Sequence, residues 1–191
     1  MIANQAFQEH AAVMAEAATL LPASIERAAN ELHACFARGS KLLACGNGGS
    51  ASDADHLVAE LVGRYKDERR ALPAIALAGG MATITAVAND YGYETVFARQ
   101  IEALARPGDV LFAISTSGNS RNVLAAVKAA RERDVRVVGF TGGDGGQLAV
   151  NSDVLICAPS KVTARIQEVH ILCIHVICET LDRKLREEVG A

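Results

Sequence analysis

Two hydrophobic periods divide the chain. Short apolar runs at Leu42–Cys45, Pro73–Ala78, Asp109–Ile114, Val135–Phe140 and Asp153–Cys157 are bounded by glycine, proline or polar residues, and they predict five buried strands. Between them, apolar residues recur at helical spacing. Ile25, Ala28, Ala29, Leu32 and Cys35 form one stripe, and Val123, Ala126, Val127 and Ala130 form another. Helices are predicted after Gly49, from Gly80 through Ile84 and Val87 to Asn89, over 94–105 with a stop at Pro107-Gly108, over 122–133 and over 165–186. Ahead of the first strand, residues 4–38 read as two helices broken at Leu20-Leu21-Pro22. The first carries Phe7, Ala11, Met14, Ala15, Ala18 and Leu21, either to cover a sheet face or to meet another subunit.

Strands alternating with helices predict an α/β three-layer sandwich: a five-stranded parallel sheet of flavodoxin-like type, helices on both faces, right-handed crossovers and two extra N-terminal helices. One domain is expected over residues 1–191, with 1–38 as the leading helices and 39–191 as the α/β core. Ligands in such sheets bind beyond the carboxyl ends of the strands, where the strand order reverses. Two loops fall at that end, 46–50 and 115–120.

Half of the 191 residues are hydrophobic and the formal net charge is -3, which argues against nucleic acid as the main partner while leaving room for a phosphorylated small molecule. No stretch reaches membrane-spanning length and the start has no signal-peptide pattern, so a cytoplasmic protein without membrane association is expected. The five cysteines, Cys35, Cys45, Cys157, Cys173 and Cys178, lack zinc-finger spacing and sit in apolar runs; they are expected as reduced core thiols. The run Gly63-Arg64-Tyr65-Lys66-Asp67-Glu68-Arg69-Arg70 reads as a solvated connection, with Arg64 the residue nearest the preceding helix.

The chemistry gathers in three places. Gly46, Gly48 and Gly49 allow a sharp turn after the first strand, Ser50 or Ser52 is a candidate helix cap, and His56 and Glu60 share one face of the helix that follows. Ser115-Thr116-Ser117-Gly118-Asn119-Ser120 offers hydroxyls and backbone N–H groups to a phosphate monoester, with no P-loop lysine and no GxGxxG fingerprint. Gln167, His170 and His175 lie in a strongly apolar stretch where polar side chains need partners.

On CGNGGSASDADHLVAE at 45–60, AVANDYGYE at 86–94, ISTSGNS at 114–120, FTGGDGG at 140–146 and RIQEVHILCIH at 165–175, the chain resembles the phosphoheptose isomerase family of the SIS (sugar isomerase) domain superfamily over nearly its whole length. The resemblance implies a homotetramer holding one zinc per subunit on His56, Glu60, Gln167 and His175. It implies Glu60 as base and His175 as acid. It also implies substrate contacts at Asn47, Gly48, Gly49, Glu60, Asn89, Asp90, Ser115, Thr116, Ser117, Ser120 and Gln167. The implied activity turns sedoheptulose 7-phosphate into D-glycero-D-manno-heptose 7-phosphate for bacterial lipopolysaccharide.

The chemistry of the residues agrees with that implication. Moving a proton between C1 and C2 through an enediol needs one carboxylate base and one acid, and histidine titrates in the right range. A glutamate that ligates zinc is a weaker base, so Glu60 is expected to do one task at a time. From Gln167 to His175 a straight helix rises roughly 12 Å, too far to share one ion easily. Either Gln167 folds forward from the helix start or the two residues serve different subunits, and the second is the expectation. The same fold, with a similar C-terminal sequence, serves in the DnaA initiator-associating protein, a non-enzymatic regulator; Glu60 and His175 favour the isomerase.

Overall fold

The computed structural model describes residues 1–189; Gly190 and Ala191, counted above within the single domain, lie outside the described residues. In chain order come α1 (Ile2–Leu20), α2 (Pro22–Ala37), β1 (Leu42–Gly46), α3 (Gly49–Val62), β2 (Ala74–Ala76), α4 (Met81–Tyr91), a 3-10 turn (Tyr93–Thr95) and α5 (Ala98–Leu104). Then follow β3 (Val110–Ile114), α6 (Arg121–Arg131), β4 (Arg136–Gly142), α7 (Gly146–Val150), β5 (Val154–Ala158) and α8 (Thr163–Val189). The strands form one parallel sheet in the order β2-β1-β3-β4-β5.

Every residue of β1 and β3 is buried, which is why these strands read as unbroken apolar runs. Successive side chains point to opposite faces and fill two cores. Leu42, Ala44, Phe112, Ile114 and Phe140 pack under α2, α3 and α8. Leu43, Cys45, Leu111, Ala113 and Val137 pack under α5 and α6. All five residues of the α2 stripe and all four of the α6 stripe are buried.

The leading helices differ in how much they bury. Pro22 starts α2 at a position where its missing N–H costs nothing, and α2 covers the sheet. By contrast, α1 buries only Ala17; Phe7 is 77% exposed, and of the apolar stripe only Leu21, just past the helix end, is buried. Between α1, α2 and α8 runs an apolar groove of about 740 Å³ that includes Met14, Leu21, Leu172, His175 and Val176.

Several expectations need correcting. The helix expected over 94–105 is a 3-10 turn and a separate short helix, because Val96 and Phe97 between them are both pulled into the core. The short α7 was not expected within a glycine-rich segment. Cys157 is only half-buried, on the edge strand β5, while the other four thiols are buried. The charged connection is not wholly solvated either: Arg69 is 7% exposed and pairs with Asp182 at 2.7 Å. Finally, Gly48 caps α3 with φ +56°, and neither Ser50 nor Ser52 provides a side-chain cap; a left-handed residue is needed there and only glycine adopts it without strain.

Candidate active site

β1 and β3 end level with one another, Gly46 opposite Ile114, and β2 lies on one side of this pair while β4 and β5 lie on the other. The two loops therefore leave the sheet side by side at its topological switch point. Asn47, the first residue beyond β1, exchanges amide hydrogen bonds with Asn122 of α6, each donating Nδ2–H to the other's Oδ1 at 2.8 Å. Tyr93 donates its hydroxyl to Asn47 Oδ1 at 2.9 Å. Three segments are thus locked around the β1 turn.

One helix later, α3 and α8 run against each other. The Gln167 side chain lies directly on Gly49, where a Cβ would overlap its amide. Farther along both helices, His56 Nε2 lies 3.0 Å from His175 Nε2 and 3.2 Å from Glu60 Oε1. Tyr65 stacks on the His175 ring at a centroid distance of 5.5 Å. Arg69 donates to the Glu60 backbone carbonyl at 2.7 Å, fixing the α3 segment that carries the carboxylate.

The donor chemistry of this cluster suits zinc, which takes imidazole and carboxylate. Ligands on a tetrahedral ion stand roughly 3.3 Å apart, and the two separations at His56 Nε2 are within a few tenths of that. Two Nε2 atoms facing each other at 3.0 Å hold either one shared proton or a cation in its place. As placed, no group of three or more His, Cys, Asp or Glu among the described residues is arranged to hold a metal ion. Gln167 stands apart, at the Gly49 turn, seven residues of α3 or roughly 10 Å from the level of His56. The separation expected from helix rise is present, and within one chain both Gln167 and His175 face α3.

The hydroxyl loop is closely tied. Ser115 is 3% exposed; its hydroxyl donates to Ser120 Oγ at 2.9 Å and stands 3.5 Å from Ser117 Oγ. Gly118 turns the loop with φ +65° and passes so close to the Gly145 carbonyl that no side chain fits. Thr116 and Ser117 line a separate polar cavity of about 290 Å³ toward β4 and α8.

Asn89 and Asp90 are exposed on α4 and bond to each other at 2.8 Å, near Tyr93 in sequence but without a bond to the other site residues. Arg64 pairs with Glu68 in solvent and does not join the site. His170 is a core residue: fully buried, it donates Nε2–H to the Thr141 carbonyl at 2.9 Å, and burial pushes its pKa down to about 4. Asp53, on α3 between Gly49 and His56, is 8% exposed with Oδ2 unpartnered, and burial pushes its carboxyl up to about 6 against the opposing pull of His56. Tyr65, Tyr93, Asn122 and Arg69 escaped sequence reasoning. Only Tyr65 and Tyr93 had a signal, as aromatics inside the charged connection and the AVANDYGYE motif.

The sequence matches the SIS domain family over residues 6–142. A phosphoheptose isomerase from Shewanella denitrificans is 54% identical over 185 residues, covering 95% of this chain and 94% of its own. Among solved structures, phosphoheptose isomerase GmhA from Neisseria gonorrhoeae superposes with a TM-score of 0.90 at 46% identity, covering 95% of this chain and 97% of that one. A phosphoheptose isomerase from Francisella tularensis gives 0.91 at 41% identity, over 94% and 96% of the two chains. With a family match over more than half of its residues and relatives that align end to end at this identity, the chain belongs to the phosphoheptose isomerases of the SIS domain family.

Proposed function

We propose that the chain is an aldose–ketose isomerase converting sedoheptulose 7-phosphate into D-glycero-D-manno-heptose 7-phosphate. The observation that carries this reading is the meeting of Glu60, His56 and His175 between α8 and the helix that leaves the β1–β3 switch point, in a chain 54% identical to a phosphoheptose isomerase. Glu60 is the base that takes a proton from C1. His175 is the acid that gives a proton to the C2 carbonyl oxygen, producing the enediol. Return of the proton from Glu60 to C2, with the O1 proton passing to His175, completes the aldose and restores both groups. Tyr65 stacked on one side of His175 holds the ring in place.

Zinc is the proposed cofactor; His56, Glu60 and His175 would hold it, with Gln167, the fourth family position, lying at the Gly49 turn in this arrangement. When bound, it supplies Lewis-acid polarisation of the oxygens at the reacting end of the sugar. The phosphate is assigned to Ser115, Thr116, Ser117 and Ser120, and the sugar hydroxyls to Asn47, Gly48, Gly49, Asn89, Asp90 and Gln167. Neutral hydroxyl and amide donors suit a phosphate monoester whose charge the chain as a whole does not match.

A homotetramer, a cytoplasmic setting and a heptose destined for lipopolysaccharide complete the reading. The apolar α1/α8 groove supports assembly: it leaves Leu172 and Val176 partly open and reaches His175, so that in the proposed tetramer a partner seated there would stand beside a catalytic residue. Among the described residues no helix is long and apolar enough to cross a membrane. A non-enzymatic regulator would leave the converged acid, base and second histidine without a task.

The test is turnover of sedoheptulose 7-phosphate by purified, zinc-supplied protein, followed as aldose heptose 7-phosphate. Activity in the parent and its collapse in Glu60→Gln and His175→Asn, both still folded, is the expected result. A folded, zinc-loaded parent without activity overturns the isomerase.

A further inference from the structure

The residues assigned to the phosphate carry no cation, although a phosphate monoester is close to dianionic at neutral pH. One cation faces the hydroxyl loop across a cavity. A cavity of about 290 Å³ opens between that loop, the β4–α7 turn and the start of α8, and its lining joins Thr116 and Ser117 to Asp144, Lys161, Thr163 and Ile166. Its size is at the low end for ligand pockets, which run from ~300 to 1,000 Å³, so it takes one end of a substrate and not a whole one. Lys161 lies across Gly143, whose φ of +63° suits glycine; a Cβ there would make ordinary contact, 3.4 Å, with Lys161 Cγ. Among the described residues Lys161 forms no ion pair and no side-chain hydrogen bond. Asp144, the opposing charge in the cavity, already has Oδ1 accepting the Gly146 N–H at 3.1 Å.

We propose that this cavity takes the phosphate-bearing end of the sugar phosphate, with the Lys161 ammonium as its counter-charge opposite the hydroxyls of Thr116 and Ser117. The inference rests on the sugar-phosphate reading above and adds to it a residue that the family motifs do not contain. A point charge on a flexible stem follows a dianion as it enters, and the hydroxyls fix its final orientation. Asp144 sets an upper limit on affinity by repelling the same group, which favours release of product.

Two measurements test this, one of which needs no turnover. Calorimetric titration of inorganic phosphate into the full chain at low salt compares the parent with Lys161→Met, Lys161→Arg and Asp144→Asn. Removing the cation weakens phosphate binding about tenfold, the arginine keeps it, and Asp144→Asn tightens it. With sedoheptulose 7-phosphate, Lys161→Met raises KM by more than it changes kcat. No phosphate binding by the parent, equal affinity in parent and Lys161→Met, or loss in the arginine variant as large as in the methionine one each overturns the proposal. A parent that binds phosphate through Lys161 but turns over no ketose phosphate keeps the pocket and sinks the isomerase. A parent that turns over substrate with phosphate affinity independent of Lys161 does the reverse.

Discussion

His56 Nε2 on α3 lies 3.0 Å from His175 Nε2 on α8, though 119 positions separate the two residues in the chain. Two imidazoles held nitrogen to nitrogen share one proton, or give it up to a cation that both can ligate. Zinc at a hundredfold excess over its dissociation constant is therefore expected to stabilise the fold by about 2.7 kcal/mol. For a chain of this size that raises Tm by roughly 5–10 °C. His56→Asn and His175→Asn each remove most of that rise while the metal-free Tm moves little. Calorimetric scans with and without zinc check it, and an undiminished zinc shift in both variants rules out this cluster as the site.

Gly49 supports Gln167 by close approach. Its φ is not in the left-handed region, so alanine meets no backbone strain, and the nearest atoms in its way belong to the flexible Gln167 amide. Gly49→Ala is expected to cost about 1 kcal/mol or less of stability, within the range of modest overpacking. It should lower kcat/KM at least tenfold by displacing Gln167 from the mouth of the β1 turn. Urea unfolding and steady-state kinetics separate the two effects. Activity equal to the parent's would show that Gln167 has no part in the site as placed.

The Arg69–Asp182 pair is the strap behind the catalytic helix. Both side chains are almost fully buried, and Arg69 also donates to the carbonyls of Leu61 and Glu60 at 2.9 and 2.7 Å. Asp182 in turn accepts the backbone N–H groups of Lys66 and Asp67. Arg69→Met leaves a buried carboxylate without its counter-charge and is expected to cost about 3–5 kcal/mol. The double variant Arg69→Met, Asp182→Leu recovers part of this loss. A lysine at 69 is a poor substitute, since one ammonium does not serve a carboxylate and two carbonyls in the guanidinium plane. Denaturant midpoints decide it, and equal stability of the single and double variants would contradict the buried-charge argument.

How far these relationships were legible in the sequence depends on how local their causes are. The period of apolar residues marks β1, β3, α2 and α6, because burial of a strand or a helix stripe is written within a few neighbours. His56 and Glu60 share a helix face for the same reason. Tyr65 and Arg69 were hidden in a charged run because their partners, His175 and Asp182, lie more than 100 positions away. Asn122 likewise looks like any residue at a helix start until Asn47 arrives from β1, and Gly48 takes the cap that the neighbouring serines advertise. The kink between the 3-10 turn and α5 comes from tertiary pull on Val96 and Phe97, which no local propensity records.

Two buried titrating groups pull acid stability in opposite directions. His170 has its pKa lowered to about 4 in the fold against an ordinary value of 6.5, by burial first. As pH falls from 6.5 to 4 the unfolded chain gains this proton first, so stability is lost over that window. Asp53 has its pKa raised to about 6 against an ordinary value near 4. Between pH 6 and 4 the native chain gains that proton first, so stability is recovered as pH falls. Each effect amounts to about 3 kcal/mol at most, and in the parent they offset one another. His170→Gln is expected to leave a chain whose stability, relative to the parent, improves on acidification from pH 6.5 to 4, whereas Asp53→Asn gives one that loses stability faster than the parent. All other carboxylates are common to the three proteins, so the comparison isolates these two groups. Urea midpoints measured at half-unit steps across the window should diverge in opposite directions, and parallel profiles would show that neither group titrates as its surroundings dictate.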